Sequence, residues 1–109
     1  MNKRSDRLYL EDIVDSISKI NSYTKGLSFR EFTDNPIIID AVIRNLEIIG
    51  EAAKNMPPKT KSLHKEIPWK EMAGMRDKVI HHYFGVDLDI VWKTIKQALP
   101  DLKKLLQNI

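Results

Sequence analysis

Pro36-Ile-Ile-Ile-Asp40-Ala-Val-Ile-Arg-Asn45-Leu-Glu-Ile-Ile-Gly50-Glu-Ala-Ala-Lys-Asn-Met56 is the stretch on which the fold turns. Ile38, Ala41, Val42, Leu46, Ile49, Ala53 and Met56 recur at three- and four-residue spacing, the period of an α-helix. Ile39, Ile43 and Ile48 carry the stripe further around the girth. A helix apolar over so much of its circumference is buried on two sides. It is either the central helix of a bundle or a helix packed against a second subunit. Asp34 or Asn35 caps its start, Pro36 is a natural first residue, and Pro57-Pro58 stops it near Met56. Its polar stripe, Asp40, Arg44, Glu47, Glu51 and Lys54, spans only roughly 80° of the circumference.

The segments on either side read as helices too. Leu10, Ile13, Val14, Ile17 and Ile20 give a first helix from about Ser5 to Lys25, capped by Ser5 or Asp6 and closed by Gly26. A single helical turn fits Ser28–Phe32. Residues 59–67 are a polar connection or short helix. Pro68 opens a helix from Trp69 to about Tyr83, ended by Gly85, and Asp87 caps the last one. There Leu88, Val91, Trp92, Ile95, Leu99, Leu102, Leu105, Leu106 and Ile109 form one stripe, which Pro100 should kink or split near Leu99. No segment alternates over a strand's length. The expectation is an all-α, antiparallel four- to five-helix bundle comprising one domain over residues 1–109.

Composition narrows the function classes. The 109 residues carry a formal net charge of +3 and no cysteine, which rules out disulfides and a thiolate metal site. The charge suits either a well-dispersed protein or one that attracts a polyanion, and lysines gather at 59, 61, 65 and 70 and at 103 and 104. Polar residues follow Met1 and no apolar run nears the ~18 residues of a membrane span, so a cytoplasmic protein with no membrane contact is expected.

Chemistry concentrates in Met75-Arg76-Asp77-Lys78-Val79-Ile80-His81-His82-Tyr83-Phe84-Gly85. His81 and His82 point about 100° apart on a helix, and the i, i+4 histidine spacing of helical metal sites is absent, so no metal or other cofactor is expected. General acid–base chemistry fits better. Histidine titrates near neutrality and arginine holds phosphate bidentately, which suits phosphodiester cleavage. His81 would move protons, Arg76 would stabilise charge on phosphorus, and Asp77, four residues before His81, could orient the imidazole. Arg76 and His81 diverge by about 140° on a regular helix, whereas Arg76 and Tyr83 share a face. The first pair meets only through a bent arginine, a distorted helix end or a second subunit. The bland reading stands beside this one: an ion-paired arginine, a histidine on the helix C-terminus and a core tyrosine. Arg44 with Glu47 and Glu51 reads as an ion-pair ladder or as the lining of a cleft that His82 also borders. Trp69 and Trp92 read as core or interface anchors, with base stacking as the other role.

The run from Arg76 to Tyr83 matches the R-x4-H-x-Y signature, and the chain resembles the HepT-like family of the HEPN superfamily. The stretches Ala41–Ala53, Ile67–Met75 and Tyr83–Asp87 leading into Val91-Trp92 resemble it as well, so the likeness runs from about Ile37 to Leu106. The resemblance implies a dimerising helical bundle whose two signatures face one cleft. It implies a toxin: a metal-independent ribonuclease acting on RNA, neutralised by a nucleotidyltransferase antitoxin that transfers AMP to the signature tyrosine, here Tyr83. The alternative is a non-catalytic helical partner that binds a nucleotide or a nucleotidyltransferase.

Overall fold

The computed structural model describes residues 5–81 and 87–109, the side chains of residues 76–81 excepted. Among the described residues every regular element is helical. Helix α1 spans Asp6–Thr24, and the Ser5 hydroxyl accepts the Leu8 N–H at its start. Gly26 follows at φ 77°, the left-handed conformation that a β-carbon disfavours. Helix α2, Phe29–Thr33, is one turn held by a capping box. The Glu31 N–H donates to the Ser28 hydroxyl at 3.1 Å, and the Ser28 N–H donates to the Glu31 carboxylate at 2.9 Å. Helix α3, Pro36–Asn55, starts on Asn35, whose Oδ1 accepts the Ile38 N–H at 3.1 Å.

The polar connection is helical in its first half. Helix α4, Pro58–Leu63, is tied to the start of α1 by the Thr60 hydroxyl donating to the Asp6 carboxylate. Helix α5 runs over Trp69–His81, and the Met72 N–H reaches back to the Pro68 carbonyl at 3.0 Å. Helix α6, Leu88–Lys93, is capped by Asp87. A π-helical turn, Thr94–Ala98, joins it to α7, Leu99–Gln107. The split expected near Leu99 is therefore present, and it takes the form of a widened turn before the proline. Pro100 has no N–H for the Lys96 carbonyl, and its ring crowds that carbonyl in a regular helix. The Leu99 N–H reaches the Thr94 carbonyl instead, five residues back.

Helix α3 packs most extensively against α1 and α5. Its wide apolar girth is thus used inside one chain, as the central helix of the bundle. Ile13, Ile17 and Ile20 of α1 meet Val42, Leu46, Ile49 and Ala53 of α3, and Trp69 and Met72 bring in α5. Ile95, Leu99, Leu102 and Leu106 close the core from the C-terminal run. Each large side chain fully buried this way stabilises the fold by about 1.5–3 kcal/mol. The shortest extent of the molecule, 21 Å, is two helix diameters, so the core is a single layer between helices. Among the described residues no helix is long and apolar enough to cross a membrane.

Candidate active site

Helix α5 positions the signature. Its N-terminal half is anchored by Trp69, 7% exposed, and Met72, 0% exposed. The Trp69 indole N–H donates to the His64 carbonyl at 3.0 Å, which fastens the helix start to the end of α4. Trp69 is therefore a core anchor, as one of its two readings expected. The helical backbone continues through Arg76, Asp77 and His81, whose side chains lie outside the described residues. His82 and Tyr83 also lie outside the described residues.

The register of that backbone is informative. At 100° per residue, position 76 of a regular helix falls about 40° from Met72. Position 81 falls about 180° from Met72, on the arc that begins with exposed Lys70. On a regular helix the two positions lie about 140° apart.

The polar stripe of α3 is an ion-pair face. Arg44 Nη1 lies 3.7 Å from Glu47 Oε2, with the arginine 72% and the glutamate 30% exposed. This is one rung of the expected ladder, worth at most about 1 kcal/mol at such exposure. The Asn55 amide donates to the Glu51 carbonyl at 3.0 Å and to its carboxylate at 3.4 Å, which fixes that side chain at the far end of the stripe.

One polar residue of α3 escaped the sequence reading. Asn45 is 6% exposed; its amide N–H donates to the Ala41 carbonyl at 2.8 Å, while its Oδ1 is buried without a hydrogen-bond partner. The signal was available, since position 45 falls between Ala41 and Ile49 on the apolar stripe.

Trp92 is half-buried and forms a small aromatic cluster on α6. Its ring lies 5.1 Å from that of Phe32 and 6.0 Å from that of Phe29. Lys96 Nζ stands 4.6 Å from the centre of the Trp92 ring. His64 Nδ1 lies 3.6 Å from Glu66 Oε1, in the connection before α5. Among the described residues no three His, Asp or Glu side chains gather as a metal site would require.

Comparison with known proteins places this geometry in a family. Residues 13–109 match the family described as ribonuclease HepT-like, which takes in α5 and the whole signature. A Thermococcus cleftensis protein named "Probable ribonuclease HepT" is 54% identical over 101 residues, covering 93% of this chain and 92% of the relative. A Caldanaerobacter subterraneus protein with an RNase name is 45% identical over 97% of this chain and 95% of its own. One from Methanocaldococcus jannaschii, also with an RNase name, is 46% identical over 100% and 94%. No solved structure matches the chain.

Proposed function

The chain belongs to the ribonuclease HepT-like family, and from that membership we propose that it is a metal-independent RNA endonuclease, the toxin of a toxin–antitoxin pair. The observation that carries the reading is the run Arg76 to Tyr83, which begins on the helical backbone of α5 and lies inside the matched region. In this reading His81 takes the proton from a ribose 2′-hydroxyl, the 2′-oxygen attacks phosphorus as the P–O5′ bond breaks, and the leaving 5′-oxygen receives its proton from a His81 imidazolium. Arg76 holds the charge that builds on the phosphoryl oxygens, and Asp77 orients the imidazole. The products end in a 2′,3′-cyclic phosphate or, once this is hydrolysed, a 3′-phosphate. Histidine and arginine supply everything that these steps require.

Two subunits complete the site. The α5 register sets Arg76 and His81 about 140° apart, so one subunit's arginine serves the scissile phosphate beside the other's histidine. Arg44, Glu47, Glu51 and His82 border the shared cleft. The net charge of +3 favours encounter with RNA. A nucleotidyltransferase antitoxin silences the enzyme by placing AMP on Tyr83. On ideal helical spacing position 83 would return to the face of position 76, and the added phosphate would then compete with RNA for the guanidinium.

The test is RNA cleavage by the pure protein in excess chelator. Arg76→Ala and His81→Ala should each lower the rate by about 10²–10³ while thermal melts stay unchanged. Activity lost in EDTA and restored by magnesium would refute the mechanism. Variants that unfold would return both residues to a structural role.

A further inference from the structure

Helix α5 carries a glycine that its own chain does not require. Gly74 lies in the middle of the helix and its backbone is ordinary: among the described residues only Gly26 has a positive φ. Outside its own helix no heavy atom lies within 4 Å of the place a β-carbon would take. An alanine would fit there without strain. Glycine is the least favourable helix residue after proline, because its backbone has the most freedom to lose. Neither conformation nor crowding among the described residues accounts for this one. A bare backbone at mid-helix is what a close approach from outside the chain needs.

The register shows which side is bare. At 100° per residue, position 74 falls about 200° from Met72. It lies between Lys70 at about 160° and Glu71 at about 260°, both exposed. Position 81 of a regular helix falls at about 180° and about 10 Å further along. Position 70 is about 16 Å from position 81 and within about 20° of its bearing.

We propose that this outer face of α5 carries the RNA strand beside the cleaved bond, its backbone passing over Gly74 and one phosphate resting on the Lys70 ammonium. The inference rests on the ribonuclease reading for the strand and for the reaction centre at position 81. The bare face and the lysine are features of the helix itself.

The chemistry of the face favours a strand of phosphates over a second protein surface. Lys70 forms no ion pair with a described residue, so its charge is available. Lys70, Gly74 and Glu71 offer little of the uncharged, apolar area found at the centre of a subunit contact. Glu71 stands about 100° round from Lys70 and repels phosphate, which confines the strand to the lysine side. Met72, 0% exposed, fixes the opposite face in the core, so the helix presents this track from a packed support. A lysine holds phosphate as a point charge and reads no base, so the track is indifferent to sequence.

The test compares wild type with Gly74→Gln, Lys70→Gln and a charge control, Lys104→Gln. Thermal melts come first. Glutamine is a good helix former, so Gly74→Gln should raise Tm by roughly 3–5 °C. Binding of a fluorescent 2′-O-methyl RNA 12-mer, which cannot be cleaved through its 2′-oxygen, is then followed by anisotropy over a range of salt. Lys70→Gln should weaken binding roughly two- to fivefold and make the salt dependence shallower by about 0.7, one phosphate's worth on a single strand. Gly74→Gln should weaken it at least as much, in a protein that is more stable than wild type. Lys104→Gln should change neither. On cleavable RNA the first two variants should raise KM and leave kcat within about twofold. A Gly74→Gln protein that binds like wild type would overturn the track, as would one that melts lower, since the fold would then require the glycine. A lower oligomeric state of Gly74→Gln by light scattering would assign the face to a second copy and overturn it too. So would equal losses in Lys70→Gln and Lys104→Gln, or a wild type that does not bind the 12-mer. A wild type that binds with the expected differences yet cleaves nothing would sink the nuclease reading and leave the RNA track standing.

Discussion

Met72 is the side chain through which the core holds the signature helix. It is 0% exposed, sits on the face of α5 that packs against α3, and precedes Arg76 by one turn. Met72→Ala removes a buried side chain from a packed interface and should cost about 2–5 kcal/mol. Unfolding entropy of about 2.1 cal/mol/K per residue converts that, over 109 residues, to a Tm lower by roughly 10–20 °C. The cavity lies beneath α5, so the helix settles and Arg76 moves with it. A misplacement of about 1 Å can cost on the order of 10² in rate. Cleavage at 25 °C should therefore fall by more than the unfolded fraction explains. Met72→Leu keeps most of the volume and should cost less than about 1.5 kcal/mol, a shift under roughly 7 °C. Circular-dichroism melts and single-turnover cleavage on the same samples check both parts. A Met72→Ala protein melting within about 3 °C of wild type would refute the packing argument. Equal damage from Ala and Leu would refute the volume argument.

Other outcomes follow from the same geometry. Asn45→Asp puts a carboxyl where an acceptor already lacks a partner; it should cost several kcal/mol at pH 7 and recover as pH falls, because burial raises that carboxyl's pKa and stability is lost as pH climbs through it. Paired urea titrations at pH 4.5 and pH 7 check this, and a penalty independent of pH would contradict it. The Ser28 backbone N–H, and then its hydroxyl, hold the Glu31 carboxyl below its usual value, so that contribution is present above the ordinary glutamate pKa and fades as acid titrates the folded group. Ser28→Ala should lower Tm by roughly 2–8 °C, and Glu31→Gln should flatten the acid side of the stability profile; a Glu31→Gln profile parallel to wild type would count against the charged capping box. Tyr83→Phe should retain nuclease activity and escape AMP transfer, which intact-mass spectrometry with the cognate transferase will show; a catalytically dead Tyr83→Phe would make the phenol part of the chemistry. Light scattering at micromolar concentration should report a dimer, and a monomer active at the same concentration would dismiss the shared site.

The sequence alone determined the helices that matter. Caps at Ser5, Asn35 and Asp87, the proline at position 36 and the glycine at position 26 are local signals, and local hydrogen bonding is what sets a helix end. It also determined the signature and its divergence by about 140°, since both depend only on spacing along one helix. The tertiary structure decided what depends on which helix lies beside which. It set α3 between α1 and α5, a choice that the girth of α3 left open between a neighbour in the same chain and a second copy. It decided between the connection and the short helix that the sequence left open over residues 59–67, and it tied α4 to the start of α1 through the Thr60 hydroxyl and the Asp6 carboxylate, 54 positions apart, a bond no local pattern encodes. It absorbed Pro100 in a π turn, an outcome that depends on burying Ile95 and Leu99 on either side of the break. And it set Trp92 against Phe29 and Phe32, since long-range side-chain neighbours are chosen by packing and not by periodicity.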